Sequence, residues 1–368
     1  MHQRIQKRNF RHVPHQPLPK FWIDSSYQRL VLTSRLDFSD YEYVDFVSGY
    51  VFHAADGFLG HLLEEVPAVT RIDGELVSSW NKNGKAPFDL ASHQVFWMRN
   101  VWLEPFLLEF GSISEAARTL KAIQRNWSSV PVRFARRTVL ISEQLPHIPT
   151  KPRRFPFELP SAPMGAFTLL DEHLILGSAK CSNPFPGGAF EFEENKNDPP
   201  SRAYRKLWEA LILAGKMPRP GERCLDAGAS PGGWTWVLAS LGAQVLSVDR
   251  APLEPRIAQM PNVEWMKHDA FTLKPEDIGR VDWLCSDVIC YPEALWQWIS
   301  KWLASGLAKN YICTIKMQGD TYDRATTLKF ASVPGSRVVH LWHNKHELTW
   351  IKLDAARTQT ELSATQQA

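Results

Sequence analysis

The chain has 368 residues, 44% of them hydrophobic and 22% charged, with a formal net charge of +3. Those proportions fit an ordinary globular protein of two or three domains, and no apolar run approaches the roughly 20 residues that a bilayer span needs. The basic N-terminus lacks the apolar segment of a secretory signal. The five cysteines (Cys181, Cys224, Cys285, Cys290 and Cys313) contain no CxxC pair, which points to reduced thiols in the cytoplasm and argues against a disulfide framework or a zinc site.

In chain order, residues 1–40 show no periodicity and read as a basic extension, with Arg4, Lys7, Arg8, Arg11 and Lys20 opposed by no acid within the first twenty positions. Residues 41–185 read as an α+β domain. The run YEYVDFVSGYVFHA is strand-like and leads into the helical GFLGHLLEEV. AVTRIDGELVSSW and HQVFWMRNVWLEPFLLEF are strand-like again, and SISEAARTLKAIQRNW is a helix that Ser112 or Ser114 can cap. AFTLLDEHLILGSAK forms a hairpin across Asp171-Glu172-His173. Within 118–154, nine Lys and Arg residues, among them Arg133, Arg136, Arg137, Arg153 and Arg154, meet only Glu143. With Phe134, Phe155 and Phe157 interleaved, this stretch suits phosphate-rich partners through counterion release, and the five arginines are the candidate RNA contacts. The alternative is a solvated surface.

Residues 186–200, rich in Pro, Gly and acid, read as a linker. From 201 to 354 the pattern becomes strand-then-helix. RCLDAG, AQVLSVDR, VEWMKHDA, VDWLCSDV and NYICTIKM are expected as buried strands of a mostly parallel sheet. RVVHLWH and ELTWIKL, joined across Asn344-Lys345-His346, must be antiparallel, because parallel strands need a long crossover. The tryptophans of ALWQWISKWL are expected in the core, and His340, His343 and His346 as surface or packing residues. Residues 355–368 are polar and read as a flexible tail.

The strand RCLDAG runs into Ala229-Ser230-Pro231-Gly232-Gly233-Trp234 and then a helix. Glycines at a strand-to-helix turn admit a ligand close to the backbone. The spacing fits neither GxxxxGK[ST] nor GxGxxG. Asp226 is badly placed for a pyrophosphate and well placed for a cationic amino group, such as that of S-adenosylmethionine. Asp249, ending the next strand, can accept hydrogen bonds from ribose hydroxyls, and Asp269, after the third, can reach an adenine amino group. Asp226, Gly228, Ser230, Pro231, Gly232, Gly233, Trp234, Asp249, Asp269 and Asp287 are the candidate cofactor-binding residues.

SRAYRKL, LDAGASPGGWTW, CSDV, TIKM and HEL together resemble the FtsJ-type 2′-O-ribose RNA methyltransferases, and over about 181–353 the chain looks most like the THUMP-containing bacterial 23S rRNA ribose methyltransferases. The resemblance implies a Rossmann-like class I methyltransferase sheet with an antiparallel last strand, preceded by a ferredoxin-like or THUMP-like RNA-binding domain. It also implies S-adenosylmethionine as cofactor, structured RNA (23S rRNA favoured) as partner, and no membrane and no metal. The oligomeric state stays open, with a monomer favoured. The family's Lys-Asp-Lys-Glu tetrad falls on Lys206, Asp287, Lys316 and Glu347. Lys316, neutral as the ribose hydroxyl attacks, would be the general base; Asp287 and Glu347 would orient groups, and Lys206 would come from the helix before the first strand. Three of these lie at strand ends where ligands of open α/β sheets bind. Transfer RNA or an mRNA cap is the alternative substrate. A non-catalytic RNA-binding protein on the same fold and a small-molecule methyltransferase are the rival classes.

Overall fold

The computed structural model describes residues 44–354; the expected extension 1–40 and tail 355–368 lie outside the described residues. The first half contains β1 (Val44–Phe46), β2 (Ser48–Ala54), α1 (Leu59–Glu65), β3 (Arg71–Asp73), β4 (Leu76–Asn81), β5 (Met98–Trp102), β6 (Pro105–Glu109), α2 (Ile113–Ile123), β7 (Trp127–Ser129), α3 (Ala135–Glu143), β8 (Gly165–Asp171) and β9 (Leu174–Ser178). Three runs that read as single strands are each broken in two: AVTRIDGELVSSW folds into the β3–β4 hairpin across Gly74-Glu75, and the other two split between sheets. Val47 separates β1 from β2, Leu103-Glu104 separate β5 from β6, and the halves enter different sheets, β3-β4-β2-β5 and β1-β6-β9-β8-β7. These two runs give no warning of the break because both faces are buried (Val51 and Phe52 are adjacent and each 0% exposed), so no alternation marks where one sheet ends. The first sheet has the strand order of a ferredoxin-like sheet, with residues 82–97 standing where its second helix would be.

These two sheets bury themselves differently. The second has its own core of Phe106, Leu120, Trp127 and Phe167 under α2. Ser112 caps that helix, its hydroxyl accepting from the Glu115 N–H at 3.2 Å. The first has no private core. Phe52, Val77, Trp97 and Val101 belong to one apolar cluster with Leu284, Tyr311, Phe330 and Trp350 of the second half.

The second half contains α4 (Tyr204–Ala214), β10 (Arg223–Ala227), α5 (Gly233–Ser240), β11 (Gln244–Asp249), α6 (Pro255–Ala258), β12 (Val263–Lys267), α7 (Pro275–Ile278), β13 (Val281–Ser286), α8 (Pro292–Ser305), β14 (Ala308–Lys316), α9 (Arg324–Ala331), β15 (Ser336–Val339) and β16 (Glu347–Lys352). They form a seven-stranded sheet ordered β12-β11-β10-β13-β14-β16-β15. The first five strands in that order pair in parallel, and β16 is antiparallel to both β14 and β15. This is the Rossmann-like methyltransferase sheet with a reversed last strand that the sequence led us to expect. One expectation needs correcting: β12 is an edge strand with every residue at least partly exposed, because it has a neighbour on one side only. The 186–200 segment also differs from a free linker. Phe190 and Phe192, with Phe185 just before them, are buried against Leu207, Leu211 and Trp283, so its aromatics insert into the sheet's outer layer. Trp298 and Trp302 on α8 are core residues, as expected.

Candidate active site

The glycine turn is held shut by close packing. At Gly228 (φ +79°) a Cβ would stand 2.6 Å from Val288 Cβ, at Gly232 (φ +113°) 2.9 Å from Ile257 Cγ2, and at Gly233 2.5 Å from Ser201 Oγ. At the first two both the left-handed backbone and the lack of space require glycine, so any larger residue is strained before a ligand arrives. Asp249 fastens the same loop. Its Oδ2 accepts from Ser230 N–H at 3.0 Å and its Oδ1 from Ala251 N–H at 2.8 Å, while the Ser230 hydroxyl donates to Pro252 O at 2.8 Å and the Glu254 N–H to Pro231 O at 3.0 Å. Asp249 thus shapes the turn as well as facing the cleft. Asp269 likewise caps a short turn, accepting from Phe271 N–H at 3.0 Å. Trp234 is buried, and its indole N–H donates to Ala203 O at 3.0 Å, tying α5 to the start of α4.

A cleft of about 480 Å³ opens over this edge. Asp226, Gly228, Ser230, Pro231, Gly233, Trp234, Asp249, Asp269, Asp287 and Lys316 all line it. Gly232 is not in the lining and acts through the turn. Sequence reading missed Ser201, Arg250, His268 and the stretch Val288–Cys290, which also line the wall; Ser201 and Val288 stand at the edges of the SRAYRKL and CSDV motifs, and the others carry no motif. Asp226 is 1% exposed. Its Oδ2 accepts from Thr235 Oγ1 at 2.6 Å, while Oδ1 is buried without a partner. Burial, reinforced by the negative charges of Asp287 and Asp249 and opposed by the Thr235 hydrogen bonds, pushes its carboxyl up to about 7.

The four charged residues converge beside the cleft. Lys206 Nζ, from the first turns of α4, donates to both Asp287 oxygens at 2.7 Å and to Glu347 Oε1 at 3.1 Å. Lys316 Nζ lies 3.1 Å from Asp287 Oδ1 and 3.9 Å from Glu347 Oε2. Strand register explains the meeting: Lys316 ends β14, Glu347 begins β16, and the two are direct cross-strand partners. Burial pulls the Lys206 amine down, but Asp287 and Glu347 more than offset it, so its titration is raised and it stays charged. Lys206 and Glu347 do not line the cleft; Lys316 and Asp287 do.

The first sheet supports this edge from behind. The His61 ring on α1 shares a 2.8 Å hydrogen bond between Nε2 atoms with His346, the residue before Glu347. The His346 carbonyl in turn accepts from Met317 N–H at 3.1 Å, just after Lys316. His340 and His343 are also packing residues, each pulled down to about 4, chiefly by burial.

The candidate RNA-contacting arginines stand on two supports. Arg133 and Arg136 are exposed at the start of α3, with Arg133 paired to buried Asp73 at 3.2 Å, and half-buried Arg137 lies over the Phe110 ring. Arg153, exposed, lies over Phe157 and Phe185, next to exposed Arg154. Among the described residues no helix is long and apolar enough to cross a membrane, and no group of His, Cys, Asp and Glu is arranged to hold a metal ion.

The family comparison falls on this fold and cleft: residues 199–310 match the model of the FtsJ-like methyltransferases. Curated relatives include the ribosomal RNA large subunit methyltransferases M of Halorhodospira halophila (34% identical over 157 residues, 41% of this chain and 46% of that protein), Thauera aminoaromatica (32% over 165 residues, 41% and 45%) and Xylella fastidiosa (32% over 205 residues, 51% and 57%). The matched part of the chain thus spans about half the length of these relatives.

Proposed function

We propose that the cleft binds S-adenosylmethionine and that the protein methylates a ribose 2′-hydroxyl in large-subunit ribosomal RNA, with Lys316 as general base. The observation that carries this reading is the unequal arrangement of the two lysines. Lys206, outside the cleft lining, holds both carboxylates at 2.7 and 3.1 Å, whereas Lys316 lines the cleft and stands farther off, 3.1 Å from Asp287 and 3.9 Å from Glu347. One amine fixes the carboxylates, and the other is placed to meet a substrate.

The residues present fit the donor. The unpartnered Oδ1 of Asp226 suits its ammonium group, and Asp249 and Asp269 can take further hydrogen bonds from its ribose and adenine. When bound, the donor supplies an electrophilic methyl group on a sulfonium. Asp287, 3.1 Å from Lys316 Nζ, orients that amine toward the acceptor hydroxyl. Lys316 Nζ takes the hydroxyl proton as the oxygen attacks, and Glu347 holds the Lys316 side chain from behind. Proton removal by a placed base contributes about 10²–10⁴ in rate, and the alignment of two bound reactants supplies much of the rest. The N-terminal α+β region acts as a THUMP-like RNA-positioning arm. Arg133, Arg136, Arg137, Arg153 and Arg154 grip phosphates, which places the RNA without reading its sequence. The relatives' names support ribosomal RNA over transfer RNA or an mRNA cap.

The test is incubation of the protein with tritiated S-adenosylmethionine and unmodified large-subunit rRNA made by transcription, followed by digestion to nucleosides. The reading expects label in a 2′-O-methyl nucleoside. Label in a base, or transfer to small alcohols and none to RNA, would contradict it.

A further inference from the structure

The loop that follows Asp287 exposes apolar surface that the fold does not need. Ile289 is 80% and Tyr291 69% exposed, well above every other exposed large hydrophobic residue among those described, of which the next is Ile72 at 46%. Ile289 lines the cleft, sharing its wall with Val288, Cys290, Asp287 and Lys316, and Tyr291 follows two residues further on, outside that lining. The loop that carries them is fixed at several points. Val288 packs against the Gly228 turn. The Cys290 carbonyl accepts from Gln318 Nε2 at 3.1 Å, two residues beyond Lys316. Tyr291 is the N-cap of α8, with its carbonyl accepting from Leu295 N–H at 3.2 Å. A rigid loop therefore presents an aliphatic side chain and a phenol ring to solvent, separated by one residue, beside the groups that would meet the acceptor oxygen. Two apolar side chains this exposed on one anchored loop offer a contact surface that nothing within the described residues covers.

We infer that Ile289 and Tyr291 form the platform for the acceptor nucleotide, with the Tyr291 ring stacked on a nucleobase displaced from its helix and Ile289 packed at that base's edge. This rests on the reading of the cleft as an RNA methylation site, since it is the acceptor ribose at Asp287 and Lys316 that brings a base within reach of the loop. The chemistry follows from what a 2′-O-methyl transfer needs. The ribose must be held in line while its base is out of the stack, and an exposed aromatic ring compensates for lost base stacking without demanding a particular sequence. The thiol between them offers no competing chemistry, because burial pushes Cys290 up to about 11 and leaves it protonated.

The experiment compares wild type, Tyr291→Ala, Tyr291→Phe and Ile289→Ser, using unmodified large-subunit rRNA transcript and tritiated S-adenosylmethionine. The inference expects Tyr291→Ala to raise KM for RNA about ten- to a hundred-fold, the range of a lost base–aromatic stack, while donor affinity by calorimetry stays unchanged. Tyr291→Phe should restore KM, because the ring is what stacks, and Ile289→Ser should raise KM by less. Thermal stability should be the same in all four, since both side chains are exposed. A Tyr291→Ala protein with wild-type KM for RNA overturns the inference and leaves the reading of the site intact. A loss matched by an equal fall in stability or donor affinity also overturns it. A wild type that labels no RNA overturns the reading of the site, and the inference with it.

Discussion

The proposed catalytic edge and the interface with the first sheet lie a few residues apart and share one apolar cluster, yet they treat buried charge in opposite ways. At the edge, Lys206, Asp287, Lys316 and Glu347 satisfy one another, and Lys206 is held charged. At the interface Glu65 and Glu209 are held by hydrogen-bond donors rather than by an ion pair. Glu65 accepts from Phe96 N–H at 2.7 Å, Trp97 N–H at 3.1 Å and the Tyr322 hydroxyl. Glu209 accepts from Trp342 N–H at 2.8 Å and His343 N–H at 3.1 Å. Burial pushes Glu65 up to about 7 and Glu209 up to about 8, and pulls His53 down to about 3. Charge is kept by pairing where it has work to do, and suppressed by desolvation where two sheets must simply join.

That contrast can be broken most forcefully at Lys206. Lys206→Met leaves Asp287 and Glu347 with only Lys316 beside them, at 3.1 and 3.9 Å, which should cost about 3 kcal/mol in denaturant unfolding. Adding Glu347→Gln to that variant should recover part of the loss. A Lys206→Met protein of unchanged stability would mean that the carboxylates are not held by pairing.

At the interface the effect is smaller and depends on pH. The folded titrations of Glu65 and Glu209, about 7 and about 8, lie above the usual carboxyl value of 4.5. Their contribution is therefore complete below about pH 4.5 and is lost as pH rises through 7 to 8. Asp226, at about 7, acts in the same direction. The histidines pulled down to about 4 and about 3 cost stability only as pH falls below about 6.5, so they do not mask this window. Stability should fall between pH 6.5 and 8, by up to about 1.4 kcal/mol per pH unit for each titrating carboxyl. Glu209→Gln should make that decline shallower, and an unchanged slope would remove Glu209 from the account.

The smallest effect sharpens the catalytic side. A cationic donor group beside Asp226 Oδ1 favours the carboxylate, so binding should drive off a proton in the fraction of molecules that carry one. S-adenosylmethionine should bind more tightly at pH 8 than at pH 6, by no more than tenfold per unit. Asp226→Asn should bind it weakly at both. A wild-type affinity flat across this range would place the ammonium elsewhere.

The second half was legible because its signals are local. A Gly-Gly turn, acids at the ends of successive strands and a short turn before Glu347 each mark a strand end, and strand ends of a parallel sheet lie at one edge. The cross-strand pairing of Lys316 with Glu347 follows from the reversed last strand. The first half was less legible because its breaks fall inside apolar runs, at Val47 and at Leu103-Glu104, where tertiary packing decides which sheet takes each piece. The shared core was invisible for the same reason: an apolar residue does not declare its partner. Asp249 and Asp269 showed a different limit. Their positions were readable, but the backbone amides they hold as structural acceptors were not. Nothing in the letters around Tyr291 distinguishes it from an ordinary residue before a helix that opens with proline.

The central claim is that Lys316, alone of the two lysines, removes the proton. The direct measurement is the single-turnover rate of methyl transfer from pH 6 to 9, for wild type and Lys316→Arg, with donor and RNA saturating. The account predicts a wild-type rate that rises with pH and then levels off. It predicts no detectable transfer by the arginine variant, whose guanidinium keeps the charge but stays protonated at every pH in the range. An arginine variant that transfers methyl at a rate near wild type would show that position 316 acts through its charge alone, and would contradict the assignment.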